Sequence, residues 1–259
     1  MRPNPVKRTL AAGDVSVGTM VFEFCTAGIG RIAANAGADF VIYDQEHTGW
    51  SVDTIRGLIA GSRAADTVPM VRVPATEYHL IARPLDAGAM GIMVPMVESE
   101  DQAYRIVQSA KYPPHGRRGA AFAIAHDDYA TGDIVETMRS ANDEILLIAQ
   151  IETESGVESA DAIASMPGID VLWIGHFDLT NSLGIPGQFD HPDYLAAVAI
   201  VLAACSRHGK APGIMAADPQ TARGAIEQGF RAIAYGGDLW IYGNALRDGL
   251  EDIRGDPGA

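Results

Sequence analysis

Two kinds of stretch alternate along the chain. Short apolar runs recur eight times, at Val15–Phe24, Phe40–Asp44, Val68–Val73, Gly91–Pro95, Ile145–Ile151, Val171–Gly175, Pro212–Ala216 and Arg231–Gly236. Between them lie longer segments rich in Ala and Leu, with polar residues at helical spacing, as in Val52–Ala65, Asp101–Ala110, Tyr194–His208 and Ala222–Gln228. Strands separated by helices imply parallel pairing through right-handed crossovers. Uninterrupted runs such as Ile145-Leu146-Leu147-Ile148 fit strands covered on both faces. Eight such units predict a closed (β/α)8 barrel in preference to a doubly wound open sheet, with residues 1–259 forming one domain. One long connection, Lys111 to Asn142, reads as irregular, and long loops in compact domains are commonly lids or subunit contacts. Leu239–Ile253 predicts a closing helix, and Gly255 to Ala259 a frayed tail.

Composition narrows the class of partner. A formal net charge of −14 repels nucleic acid and anionic membranes, which excludes both as expected partners. Cys25 and Cys205 are the only cysteines and lack metal or disulfide spacing, so the expectation is a reduced, cytoplasmic protein without a membrane span or secretory signal.

The candidate chemistry gathers at strand ends, where α/β folds place ligands. The fifth and sixth runs end on carboxylates, at Glu152 and Asp178. A buried charge must be paired or must hold a metal, and two hard oxygen ligands without a Cys/His cluster suit Mg²⁺ or Mn²⁺ completed by water and substrate. The bland alternative is that each begins a helix. Gln150, two residues before Glu152, points to the same face. Asp44-Gln45-Glu46-His47 closes the second strand, where His47 is placed either for proton transfer or as a structural histidine. Arg72 closes the third, either stabilising an oxyanion or neutralising an acidic rim. Asp86 alone reads as a surface turn residue. The backbone amides of Gly175-His176-Phe177-Asp178 can cradle a carboxylate. There is no GxGxxG, phosphate-binding loop or nucleophile elbow, and no context marks a Schiff-base lysine.

Eight motifs follow one another in order: Tyr43-Asp44-Gln45-Glu46-His47, Val71-Arg72-Val73-Pro74, Leu85-Asp86-Ala87-Gly88-Ala89, Val94-Pro95-Met96-Val97, Tyr112-Pro113-Pro114-His115-Gly116-Arg117-Arg118-Gly119, Gln150-Ile151-Glu152-Thr153, Gly175-His176-Phe177-Asp178-Leu179 and Gly209-Lys210-Ala211-Pro212-Gly213-Ile214. Through them the chain resembles, over nearly its whole length, the HpcH/HpaI family of metal-dependent, class II pyruvate aldolases. The resemblance implies a single-domain TIM barrel, commonly a homohexamer that exchanges its last helix between partners. It implies Glu152 and Asp178 as ligands of Mg²⁺, Mn²⁺ or Co²⁺, Gln150 and the backbone at Phe177 and Asp178 as holders of a 2-oxo acid, His47 as the base, Asp86 as the carboxylate that raises its basicity, and Arg72 as the enolate stabiliser. The implied reaction is cleavage of a 4-hydroxy-2-oxo acid into pyruvate, or hydroxypyruvate, and an aldehyde. An oxaloacetate decarboxylase, an acyl-CoA lyase and a non-catalytic 2-oxo acid binder are the competing readings. His176 and Phe177 stand where many relatives carry small residues, Trp50 replaces a polar residue after the base, and Pro84 falls inside the helix that leads to Asp86.

Overall fold

Eight parallel strands hydrogen-bond in sequence order and close into a barrel, β1 pairing with β8. The computed structural model describes residues 1–255, so most of the expected tail lies outside the described residues. The strands are β1 (Ser16–Val21), β2 (Phe40–Asp44), β3 (Val68–Arg72), β4 (Gly91–Val94), β5 (Leu146–Ile151), β6 (Val171–Ile174), β7 (Ala211–Ala216) and β8 (Ala232–Gly237). Each coincides with one of the eight apolar runs to within a few residues.

Side chains alternate along these strands between two separate cores. One parity, including Phe40 and Ile42, Val68 and Met70, Leu146 and Ile148, and Val171 and Trp173, packs inside the barrel. The other, including Val41 and Tyr43, Leu147 and Ala149, and Leu172 and Ile174, packs outward against the helices. Extending the inner parity by two residues puts Asp44, Arg72 and Gln150 inside the barrel at its carboxyl end, with Glu152 following Gln150. Register confirms the layer, since Asp44 lies opposite Arg72 across the β2–β3 ladder.

The amino-terminal face is closed by a short helix, Pro5–Ala11, whose Val6 and Leu10 join the inner core. Asn4 caps that helix and donates from its side chain to Met90 O and Glu144 O, each at 3.0 Å. Three lysines secure the same end. Lys111 donates to Asn142 O (2.6 Å) and Ile145 O (2.8 Å), Lys7 to Ile145 O (2.7 Å) and Asp170 (3.2 Å), and Lys210 to Ile169 O (2.8 Å).

Several helices begin where a side chain can accept from the first turn. Ser51 caps Val52–Arg63, Ser99 caps Glu100–Ala110 and Asp218 caps Pro219–Gln228. The connection expected to be irregular up to Asn142 contains a 3₁₀ turn, Ala125–Asp127, and ends in a helix, Ile134–Glu144, capped by Asp133. Pro84 sits within the helix Tyr78–Asp86, two residues from its end. The closing helix spans Asp238–Arg254 and leaves Trp240, Tyr242, Leu246 and Ile253 exposed. No helix among the described residues is long and apolar enough to cross a membrane.

Candidate active site at the carboxyl end of the barrel

Glu152 is an almost fully buried acid at the mouth, 1% exposed. One carboxylate oxygen accepts from the backbone N–H of Met96 at 2.7 Å and the other from the Gln150 amide at 2.5 Å. Met96 adopts φ +54 to present that N–H, a left-handed conformation that costs a non-glycine residue about 1 kcal/mol or more. Room for the acid is left by Gly175, where a Cβ would lie 2.3 Å from Glu152 Oε2. Burial pushes the Glu152 carboxyl up to about 7; Met96 and Gln150 act in the opposite direction, and Glu46 and Asp178 raise it further. The reading of Glu152 as a helix cap does not hold, because the following helix Glu154–Glu158 is capped by Thr153.

Asp44 and Glu46 complete the acidic floor, and sequence reasoning did not single out either. Asp44 is fully buried and accepts from three donors: Arg72 Nε at 2.6 Å, and the backbone N–H groups of Glu46 (3.1 Å) and His47 (2.9 Å). It therefore fixes both the guanidinium and the turn that carries His47. Glu46 Oε2 lies 3.0 Å from Arg72 Nη1, yet it is buried without a well-directed hydrogen bond. Burial pushes the Glu46 carboxyl up to about 7, with Arg72 opposing and Asp44 and Asp178 reinforcing the rise. The signal was present in the sequence: Asp44 continues the Phe40, Ile42 parity.

Arg72 thus ties the second and third strand ends together, and its guanidinium carbon lies 5.7 Å from the Phe22 ring centroid. Phe22 belongs to a turn held by Asp238, which accepts from the backbone N–H groups of Phe22 (2.8 Å), Glu23 (3.0 Å) and Phe24 (2.6 Å). Asp178 is exposed in the first turn of the helix His176–Ser182. That turn leaves the N–H groups of His176, Phe177 and Asp178 without intrahelical acceptors. His176 and Phe177 pack with Phe189 into an aromatic wall, at centroid distances of 4.5 to 5.3 Å.

The structure separates one expected pair. His47 stands at the mouth with its ring 57% exposed, and its Nε2 lies 3.6 Å from Glu46. Asp86 ends a helix that runs back toward the start of β4, and there it meets Arg118 Nη2 at 2.5 Å. Among the described residues no hydrogen bond or ion pair joins Asp86 to His47. Chain direction is the reason: the end of a crossover helix lies at the opposite face from the strand ends.

Among the described residues no three His, Cys, Asp or Glu side chains are placed to hold a metal by themselves. Glu152 and Asp178 nonetheless fit a hard cation that takes its remaining ligands from water and substrate. The unsatisfied Glu46 Oε2 and the mutual repulsion of Glu46, Glu152 and Asp178 call for positive charge at the same place.

Comparison with known proteins decides the family. Residues 25–245 match the model described as HpcH/HpaI aldolase/citrate lyase. The chain belongs to this family. It is 35% identical over 238 residues to a hydroxypyruvate/pyruvate aldolase of Roseobacter denitrificans, covering 91% of each chain. It is 32% identical over 250 residues to a 5-keto-4-deoxy-D-glucarate aldolase of Shigella boydii, covering 95% of this chain and 94% of that one. The crystal structure of an HpcH/HpaI aldolase from Desulfitobacterium hafniense superposes with a TM-score of 0.92 at 34% identity, covering 97% of both chains. The chain is an HpcH/HpaI carbon–carbon lyase on a (β/α)8 barrel.

Proposed function

We propose that this HpcH/HpaI enzyme is a class II aldolase that reversibly cleaves a 4-hydroxy-2-oxo acid into pyruvate, or hydroxypyruvate, and an aldehyde. A divalent cation, Mg²⁺, Mn²⁺ or Co²⁺, would be held by Glu152 and Asp178. When bound, it supplies a Lewis acid for the 2-oxo group. The observation that carries the reading is a buried carboxylate, Glu152, with one oxygen on Met96 N–H and the other on Gln150, among acids that raise its proton affinity.

The chain's own groups supply the rest. The amides of His176, Phe177 and Asp178 bind the substrate carboxylate, and Gln150 orients the 2-oxo end. His47 takes the proton of the C4 hydroxyl as the C3–C4 bond breaks, the aldehyde leaves and the electron pair stays on the enolate. Arg72, locked by Asp44, stabilises the enolate oxygen; fixed donors aimed at developing charge are commonly a large catalytic contribution. The acidic mouth disfavours the phosphates of an acyl-CoA substrate. A bare binder would need no base at His47.

Within one chain Asp86 is held by Arg118 and does not pair with His47, so a role in the basicity of His47 would require the Asp86 of a second copy. A homo-oligomer, a hexamer by family resemblance with the last helix exchanged, is supported by the exposed apolar face of Asp238–Arg254. Free Cys25 and Cys205 agree with a cytoplasmic location.

The test is hydrogen exchange. In D₂O with Mg²⁺, the methyl protons of pyruvate should exchange by NMR, and EDTA should stop it; no exchange with metal present would end the enolate mechanism. His47→Ala should abolish retro-aldol cleavage and retain oxaloacetate decarboxylation, which removes no hydroxyl proton.

A further inference from the structure

A second charged site lies away from the mouth. The N-terminal segment, the helix Val52–Arg63 and the residues around the 3₁₀ turn border an open hollow of about 210 Å³. Arg2, Arg56 and Arg63 line it, and Asp128 is the one carboxylate among its described lining residues. Three cations against one anion form a positive hollow on a chain whose formal net charge is −14.

Arg2 Nε donates to one oxygen of Asp128 at 2.8 Å and Arg63 Nη2 to the other at 2.9 Å. Arg63 is 8% exposed, and its Nη1 is anchored on Gly88 O at 2.9 Å, so its charge is held rigidly and little screened. Arg56 is exposed and has no carboxylate partner among the described residues. Arg2 also donates to Arg63 O, so Asp128 offsets part of the charge of Arg2 and Arg63, and Arg56 adds a lining guanidinium with no carboxylate partner among the described residues.

We propose that this cavity binds a phosphate dianion, either inorganic phosphate or the phosphate end of a monoester, on Arg2, Arg56 and Arg63. The guanidinium groups come from two elements, Arg2 from the N-terminal segment and Arg56 and Arg63 from positions about two turns apart on the helix Val52–Arg63, so they approach from different directions. A planar carboxylate is satisfied by one bidentate fork, whereas a tetrahedral oxyanion presents acceptors in several directions at once. Ala125 and Tyr129 form an apolar side of the hollow. Asp128 is then an internal competitor for the same arginines.

The site is tested by isothermal titration calorimetry on metal-free protein, with inorganic phosphate, glycerol 3-phosphate and succinate as probes. Saturable binding of one phosphate probe per chain is expected, and the tighter of the two phosphate probes identifies the source. Arg56→Ser should weaken it at least tenfold. Asp128→Asn should tighten it at least threefold, because it removes the competing charge while asparagine tolerates the φ of +57 at this position. Circular dichroism checks that both variants fold. Arg56→Ser should leave metal-dependent pyruvate exchange unchanged, which separates this site from the aldolase reading. Absence of saturable phosphate binding, affinities that neither substitution alters, or succinate binding as tightly as phosphate would each overturn the proposal.

Discussion

The two faces of the barrel handle buried charge in opposite ways. At the amino-terminal face Lys111 is 3% exposed, and burial, with help from Lys7, lowers its pKa to about 7. It still donates to two carbonyl oxygens, and neighbouring Lys7 and Lys210 are likewise anchored on main-chain oxygens and Asp170. At the carboxyl face, Asp44, Glu46 and Glu152 are shared out over one arginine, one glutamine and a few amides, and one Glu46 oxygen is left unsatisfied. The first arrangement closes on itself. The second is complete only when a positive group arrives, which separates a charge cluster that holds a fold from one that binds a ligand.

Glu152→Gln gives the sharpest break in this comparison. It should lower kcat/KM by roughly 10³, the scale of losing a central electrostatic group, and should raise the melting temperature of the metal-free protein, because it removes a buried charge without losing the Met96 contact. A lower melting temperature would mean that the acid serves the fold. Lys111→Met should do the reverse: a stability loss of about 1–3 kcal/mol in urea denaturation, from carbonyls deprived of their donor, with pyruvate exchange within about twofold of wild type, the range expected of a change remote from the chemistry. The smallest effect is in pH dependence. Glu46 and Glu152 have raised pKa values in the folded chain, so their stabilising contribution is full below the ordinary glutamate value of about 4.3 and fades as pH rises through about 7. Between pH 5 and 7 the metal-free protein should lose about 2 kcal/mol, after allowing for the partial solvent access of Glu46. Saturating Mg²⁺ should flatten the melting curve over that range. Lys111 opposes the trend only from about pH 7 upward, since its lowered pKa favours the neutral, folded form as pH rises toward the ordinary lysine value.

Strand identity was legible because parity is a local property: an apolar run bounded by turns is visible in a few residues. The same parity marked Gln150 and Glu152, and would have marked Asp44, had the polar end of Phe40–Asp44 been read as a continuation of the inner face. Glu46 was hidden because its place depends on a turn folded around the Asp44 carboxylate. The helix Pro5–Ala11 escaped notice because Val6 and Leu10 are too few to form a periodic signal. Ile134–Glu144 escaped because Ile134 and Val135 are exposed, so its apolar positions do not mark one buried face. The separation of Asp86 from His47 follows from the direction of a crossover helix, which motif spacing does not encode.

Gly175 carries one last consequence. Its missing methyl is the volume that Glu152 Oε2 occupies, and a Cβ there would stand 2.3 Å from the acid. A glycine codon becomes an alanine codon by a single nucleotide change. Such a change would displace the carboxylate while leaving every strand of the barrel paired. In evolutionary terms the chemistry of this enzyme is guarded less by its charged residues than by one hydrogen atom on the neighbouring strand end, a position where drift toward a catalytically silent barrel is one step away.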